Sequence, residues 1–267
     1  MTRAGLPWSA RVGLALLVLL VPLALAGPAF APDPRAVALG ERLLAPGAGH
    51  WLGTDQLGRS VASRLVSGLG WSFSIAGGAT VIACLVGSLV GLASARATSL
   101  PARLLGELTA LVQSLPSFVI AMTAVAIFGN GGRSVTLVLG LATWPVFARV
   151  VQAEASSLLV REYVLAARAM QMSTLRLYAH HVLPGLVPSI VTLLCLHFAE
   201  MLIAESALSF LGIGAELGQP TWGVMLSESR AYLLSAPWLL LVPSLAIVAV
   251  VIALNLVGDA VRREARR

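Results

Sequence analysis

Apolar residues occur along this chain in long blocks, each bounded by arginine, proline or glycine. The blocks run Val12–Ala26, Phe73–Ala95, Leu104–Phe128, Val135–Val151, Gly185–Leu211 and Pro237–Leu256. A helix needs about 20 apolar residues to cross the hydrocarbon core of a bilayer. The pattern therefore predicts an all-α integral membrane protein with six spans. Val135–Val151 is short and carries Trp144-Pro145, where a proline removes a helical donor. The first block reads two ways. Ala24-Leu25-Ala26 fits a small-x-small cleavage site behind a signal sequence, whereas extension to about Phe30 makes a retained span. Ala31 to Gly68 is polar and rich in Pro and Gly, too long for a turn and too short for an independent domain. The expected division is 1–68, a first helix with an external polar segment; 69–259, a five-helix core; and 260–267, a basic tail.

Composition strengthens the membrane reading. The chain is 58% hydrophobic and 11% charged, with a mean hydropathy of +0.89, against about a quarter charged residues in a soluble domain. All 18 basic residues are arginine. They border the apolar blocks and form no interleaved basic and aromatic surface for nucleic acid. Without lysine the chain has no Walker-type phosphate loop and no Schiff-base chemistry, so energy from ATP must come from a partner. Cys84 and Cys195 lie inside apolar blocks and behave as small apolar residues. With both termini inside, twelve arginines fall on inner segments and six on outer ones. That asymmetry orients the chain with its N- and C-termini in the cytoplasm.

The stretch Arg161 to Pro184 is the one sizeable polar interruption of the second half, and the same orientation places it inside. Tyr163, Ala166, Ala167 and Met170 fall three or four apart and share a helical face, with Arg161, Arg168 and Met172 on the other side. Ser173-Thr174 offers an N-cap for a second short helix, and Pro184 marks the start of the next apolar segment. Two short helices on a basic inner loop suggest a docking element for a cytoplasmic partner; an ordinary amphipathic interfacial helix is the plainer reading.

This stretch resembles the cytoplasmic EAA loop of ABC importer permeases, through Leu165-Ala166-Ala167, Gln171 and Leu183-Pro184. Leu165 stands where that family carries an acidic residue and Gln171 where it carries a turn glycine. Gln171 must then either strain into a φ > 0 turn or make the turn another way. Further stretches are similar to the peptide and nickel branch of these permeases. They are Gly53-Thr54-Asp55 with Gly58-Arg59 (and Ser60 for the usual aspartate), Leu115-Pro116-Ser117, Trp144 with Ala148-Arg149, Ala204 to Gly214, Pro220-Thr221-Trp222-Gly223, and Asn255 to Asp259. The resemblance runs from about His50 to Asp259. It implies the permease fold of six transmembrane helices with a cytoplasmic coupling-helix loop at about 161–184, in the cytoplasmic membrane. It also implies retention of the first span and assembly with a second homologous permease, two ATPase subunits and an extracytoplasmic solute-binding protein. This chain would then be no enzyme and bind no cofactor, ATP and magnesium being held by the ATPases. The implied coupling residues are Glu162, Tyr163, Ala166, Ala167, Arg168, Met170, Gln171, Arg176, Leu183 and Pro184.

Three other groups stand out. Glu200, Glu205 and Ser209 lie in the fifth block, where an ionised side chain must be paired or wet. They are expected either on a translocation path or external gate, or, for Glu205 above all, in hydrogen bonds to neighbours. His197, one turn before Glu200, can pair with it, and a proton-coupled secondary transporter built on these two is the alternative function. Thr54, Asp55 and Arg59 form an external motif in which Asp55 and Arg59 have the spacing of an ion pair on a short helix, with Asp55 a natural cap. His180 and His181 point about 100° apart on a helix and cannot share a metal. Gly87 and Gly91 predict close helix packing. No catalytic or metal-ligand motif is visible.

Overall fold

The computed structural model describes residues 8, 11–15, 18, 22, 33–95, 99–215 and 218–265. Most of the predicted first span, Val12 to Ala26, lies outside these residues, and so does the question of its cleavage. Among the described residues the chain is helical: α1 Val61–Ser94, α2 Leu100–Gln113, α3 Ser117–Phe128, α4 Gly132–Leu159, α5 Glu162–Ala169, α6 Thr174–Leu177, α7 Leu183–Phe210, α8 Trp222–Ser229 and α9 Trp238–Ala265. Four helices are long and apolar enough to span a membrane, and α2 with α3 makes a fifth if counted as one bent span.

α1 starts earlier than its apolar block, at the Ser60 cap whose hydroxyl accepts from Ser63 N. It crosses the boundary expected at residues 68 and 69. At 34 residues it is about 50 Å long, longer than the roughly 30 Å of hydrocarbon. Its first turns therefore belong to the polar segment. α4 lies at the centre. Its apolar window is 61% buried, against 22% for that of α9, which leaves α9 peripheral. Close approach of α1 and α4 needs glycine: a Cβ on Gly87 would overlap the Trp144 carbonyl, and one on Gly91 would come within 2.6 Å of the Ala148 carbonyl. Pro145 sits inside an unbroken α4, so the block expected to be short and interrupted is one 28-residue helix.

The block expected as the single span Leu104–Phe128 is broken instead. α2 and α3 meet at 83° across Ser114-Leu115-Pro116. Pro116 supplies no donor, and the residue before a proline is pushed away from helical dihedrals. Ser114 closes α2 through its N–H to the Ala110 carbonyl, 3.0 Å, and its hydroxyl to the Leu111 carbonyl, 2.7 Å.

Hydrogen bonds and packing define two ends. Gln152 and Ser156 of α4 donate to the Ser94 and Ala95 carbonyls, so α1 finishes beside the inner loop. At the far end, Trp222 Nε1 donates to the Leu65 carbonyl and Trp238 Nε1 to the Thr54 carbonyl. The main apolar core, including Leu69, Ala79, Leu139, Leu202, Trp222 and Val250, joins α1, α4, α7, α8 and α9. A second core lies under the inner loop.

Candidate functional site

The loop of residues 161–184, expected on the inner side, is a small folded unit. Glu162 stands in the first turn of α5 and Arg168 in the last, each favourable to the helix dipole. Val164 and Ala167 are buried against Val151, Ala155 and Leu159 of α4 and Leu177, Val182 and Leu186 beyond the turn. The face predicted from spacing is thus divided: Ala167 turns into the chain's own core, while Tyr163, Ala166 and Met170 remain outside. Leu165, Met170 and Leu175 are exposed too, Met170 at 74% and Leu175 at 82%. Arg161, Arg168 and Arg176 are exposed and form no ion pair with a described residue.

Gln171 makes the turn in left-handed conformation, with φ of +57°. Met172 N–H donates to the Ala167 carbonyl, 3.2 Å, and Gln171 N–H to the Arg168 carbonyl, 3.0 Å. That pair of bonds is a Schellman cap, in which glycine is the ordinary residue. The geometry is retained although the residue has changed. A side chain in this conformation costs about 1–2 kcal/mol, partly offset because glycine is freer in the unfolded chain. Gln171→Gly is therefore expected to stabilise the loop by up to about 1 kcal/mol, read as slower amide exchange of Met170–Met172. Unchanged or faster exchange would refute the strain.

Ser173 occupies the N-cap position of α6, but its side chain makes no capping bond. α6 does not end where α7 begins. A π-turn over Tyr178–Val182 joins them, and Leu183 N–H donates to the Tyr178 carbonyl. The wider spacing carries the helix past Pro184, which has no donor. Thr174 to Phe210 is therefore one 37-residue element, so the second half of the loop and the fifth apolar block share a continuous helix. His180 Nδ1 lies 3.2 Å from the Arg176 carbonyl, and the His181 ring lies 6.2 Å from that of Tyr163.

At the far end Asp55 and Arg59 pair at 2.6 Å. They do so in a turn, not on the short helix expected, because Asp55 Oδ1 accepts from the Leu57 and Arg59 N–H groups. Gly58, at φ +74° and packed on the Ala38 backbone, has room for no side chain. Two residues that sequence reasoning missed complete the cluster. Arg64 lies 2.7 Å from both Asp55 and Glu228, and Arg59 lies 3.0 Å from Glu228. This latch ties the polar segment to α1 and α8. The hydroxyl of buried Thr54 donates to the Glu41 carbonyl and accepts from Leu44 N. The one signal in the sequence was Arg64 beside an apolar block, where an unpaired guanidinium would be costly.

Between the ends, α7 carries the acids. Glu205 is fully buried; Ser209 donates to it at 2.9 Å, and Ser206, Ser72 and Thr221 also face it. Ser209 Oγ in turn accepts from Ala215 N. Glu205 and Ser209 thus hold the C-terminal end of α7 against the segment that follows. Glu200 points elsewhere and is exposed, with His197 Nδ1 3.3 Å from its carboxylate. The loop residues, Glu200, Glu205 with Ser209, and the Thr54–Arg59 motif thus lie at successive levels and form no single pocket. No cluster of three or more metal-ligand side chains occurs among the described residues.

Comparison with known proteins agrees with this arrangement. The nickel transport system permease protein NikC of Escherichia coli K12 is 34% identical over 265 residues, covering 96% of this chain and 92% of that one. The dipeptide transport system permease protein DppC of Alkalihalophilus pseudofirmus is 32% identical over 254 residues, with coverage of 95% and 84%. An inward-facing MetNI methionine ABC transporter structure shares the fold with a TM-score of 0.61 at 18% identity, over 76% of this chain and 96% of that one. These relatives are permease components of ABC systems and give no support to a stand-alone proton-coupled carrier. Residues 87–264 match the binding-protein-dependent transport system inner membrane component, and with relatives aligned along nearly its whole length the chain belongs to that family, as a multi-pass permease subunit of an ABC importer.

Proposed function

We propose that this chain forms half of a translocation path for a peptide-like or nickel-type solute, pairing with a second homologous permease. Two ATPase subunits, which would themselves hold ATP and magnesium, would dock at the inner loop, and an extracytoplasmic binding protein would deliver solute at the opposite end. Both termini would lie in the cytoplasm. Twelve arginines fall on the proposed inner segments and six on the outer ones, and that excess supports the orientation.

The observation that carries the coupling role is the continuity of α6 with α7. A movement imposed on exposed Leu175 would travel along one 37-residue helix to Glu200 and Glu205. Such a rod biases a two-state element at both ends. The broken pair α2–α3 supports the second permease. Its break is exposed on this chain, and irregular backbone at membrane depth is tolerated only against protein or water.

In the reconstituted complex, Met170→Asp together with Leu175→Asp is expected to lower solute uptake at least tenfold while membrane insertion and ATP hydrolysis persist. Wild-type uptake in that variant would remove the docking role. Ala167→Arg differs in kind. It drives a charge into the loop's own core, so it is expected to unfold the loop as well as uncouple it.

A further inference from the structure

Glu200 lies ten residues before Phe210, about 15 Å along α7 from its outer end. Its side chain is 64% exposed while that of His197 is 1% exposed. One side of this pair is sealed in protein and the other is open. Thr143 explains how the ring is held. Its hydroxyl donates to the Leu139 carbonyl at 2.7 Å, the Met201 sulfur at 3.8 Å being a weaker acceptor. With that proton committed, Thr143 Oγ1 can only accept from His197 Nε2, 3.0 Å away. Nε2 therefore carries hydrogen, and Phe147 packs edge-on against the ring with centroids 5.1 Å apart. The remaining nitrogen, Nδ1, faces the carboxylate at ion-pair distance but lacks an aligned hydrogen-bond partner. The ring, held by Thr143, backs Glu200 from the buried side. The carboxylate still has lone pairs directed away from the protein. Ile203, one turn on from Glu200 and half exposed, is apolar. A polar group beside apolar surface can fix the orientation of a molecule that passes it. An ionised carboxylate facing lipid is costly, which favours water or solute as its neighbour.

We propose that Glu200 is a cation-contacting carboxylate on the translocation surface, positioned by His197 and Thr143, so that the solute passing it carries a positively charged group. This rests on the permease reading given above. Contact at one carboxylate is weak enough to release the solute again, as passage requires.

The test places a cysteine at Ile203, one turn from Glu200 and half exposed. Membranes carrying the full complex are treated with a cationic or an anionic methanethiosulfonate, and the reaction is read against the complex without that cysteine. Ile203→Cys is expected to react with both reagents, the cationic one faster. Adding Glu200→Gln should lower the cationic-to-anionic rate ratio roughly tenfold, the scale of one charge about 6 Å away. Nickel(II) ion or alanyl-alanine, each added alone, distinguishes a metal from an ammonium by which one slows the reaction. No reaction at position 203, a ratio indifferent to Glu200→Gln, or slowing by neither probe would overturn the proposal. A parent complex without ATPase activity would instead count against the importer reading, and the reagent ratio would still report the charge.

Discussion

Asp55→Ala is expected to destabilise the protein by about 3 kcal/mol, the cost of leaving two largely buried guanidinium groups to share the one remaining carboxylate of Glu228. Asp55 is 1% exposed and Arg64 4%. Arg64 has Asp55 and Glu228 as its two anions, and its Nε already lacks a partner. Asp55 also accepts the Leu57 and Arg59 N–H groups, so its loss opens the turn that precedes α1. Glu228, with a side chain 23% exposed, keeps contact with water. Glu228→Ala should therefore cost clearly less. Thermal unfolding of the purified protein in detergent checks the ranking. In the double variant Asp55→Ala with Arg64→Met, part of the loss should return, because the stranded charge is gone. Additive losses would show that the latch is not a coupled network.

The second large effect belongs to the α1–α4 contact. Gly87→Val is expected to cost about 3 kcal/mol, at the upper end for overpacking, because what the added atoms meet is the Trp144 carbonyl together with Phe147 Cβ. A flexible side chain could turn aside, but a backbone carbonyl inside a helix cannot. The two helices must separate, and the loosened contact reaches the inner loop, since Gly91 meets Val151 of the second core. Gly106→Val, which has only the Gln152 amide 3.7 Å away, is the control and should be well tolerated. Equal unfolding temperatures for the two variants would overturn the claim that close approach holds this pair.

The sequence by itself determined the class of this molecule. A span is dictated by a local quantity, the run of apolar side chains, and it was legible for α1, α4, α7 and α9 without knowledge of what they touch. The same holds for the inner loop, because its caps and spacing are local, and for the Asp55–Arg59 pair, whose members are four residues apart. Tertiary structure decided what depended on distant partners. Ala167 could be placed on a helical face but not assigned to core or surface until α4 lay beside it. Gln171 could be marked as an odd turn residue, but its left-handed dihedral follows from the cap bonds that fix it. Arg64 and Glu228 are 164 residues apart, and nothing periodic connects them. Leu104–Phe128 looks like one span by hydropathy, because hydropathy sums side chains while the break is a backbone matter set by one proline. Glu200 and Glu205 read alike as acids in an apolar block. Only the packing around α7, which seals one among hydroxyls and leaves the other open, tells them apart.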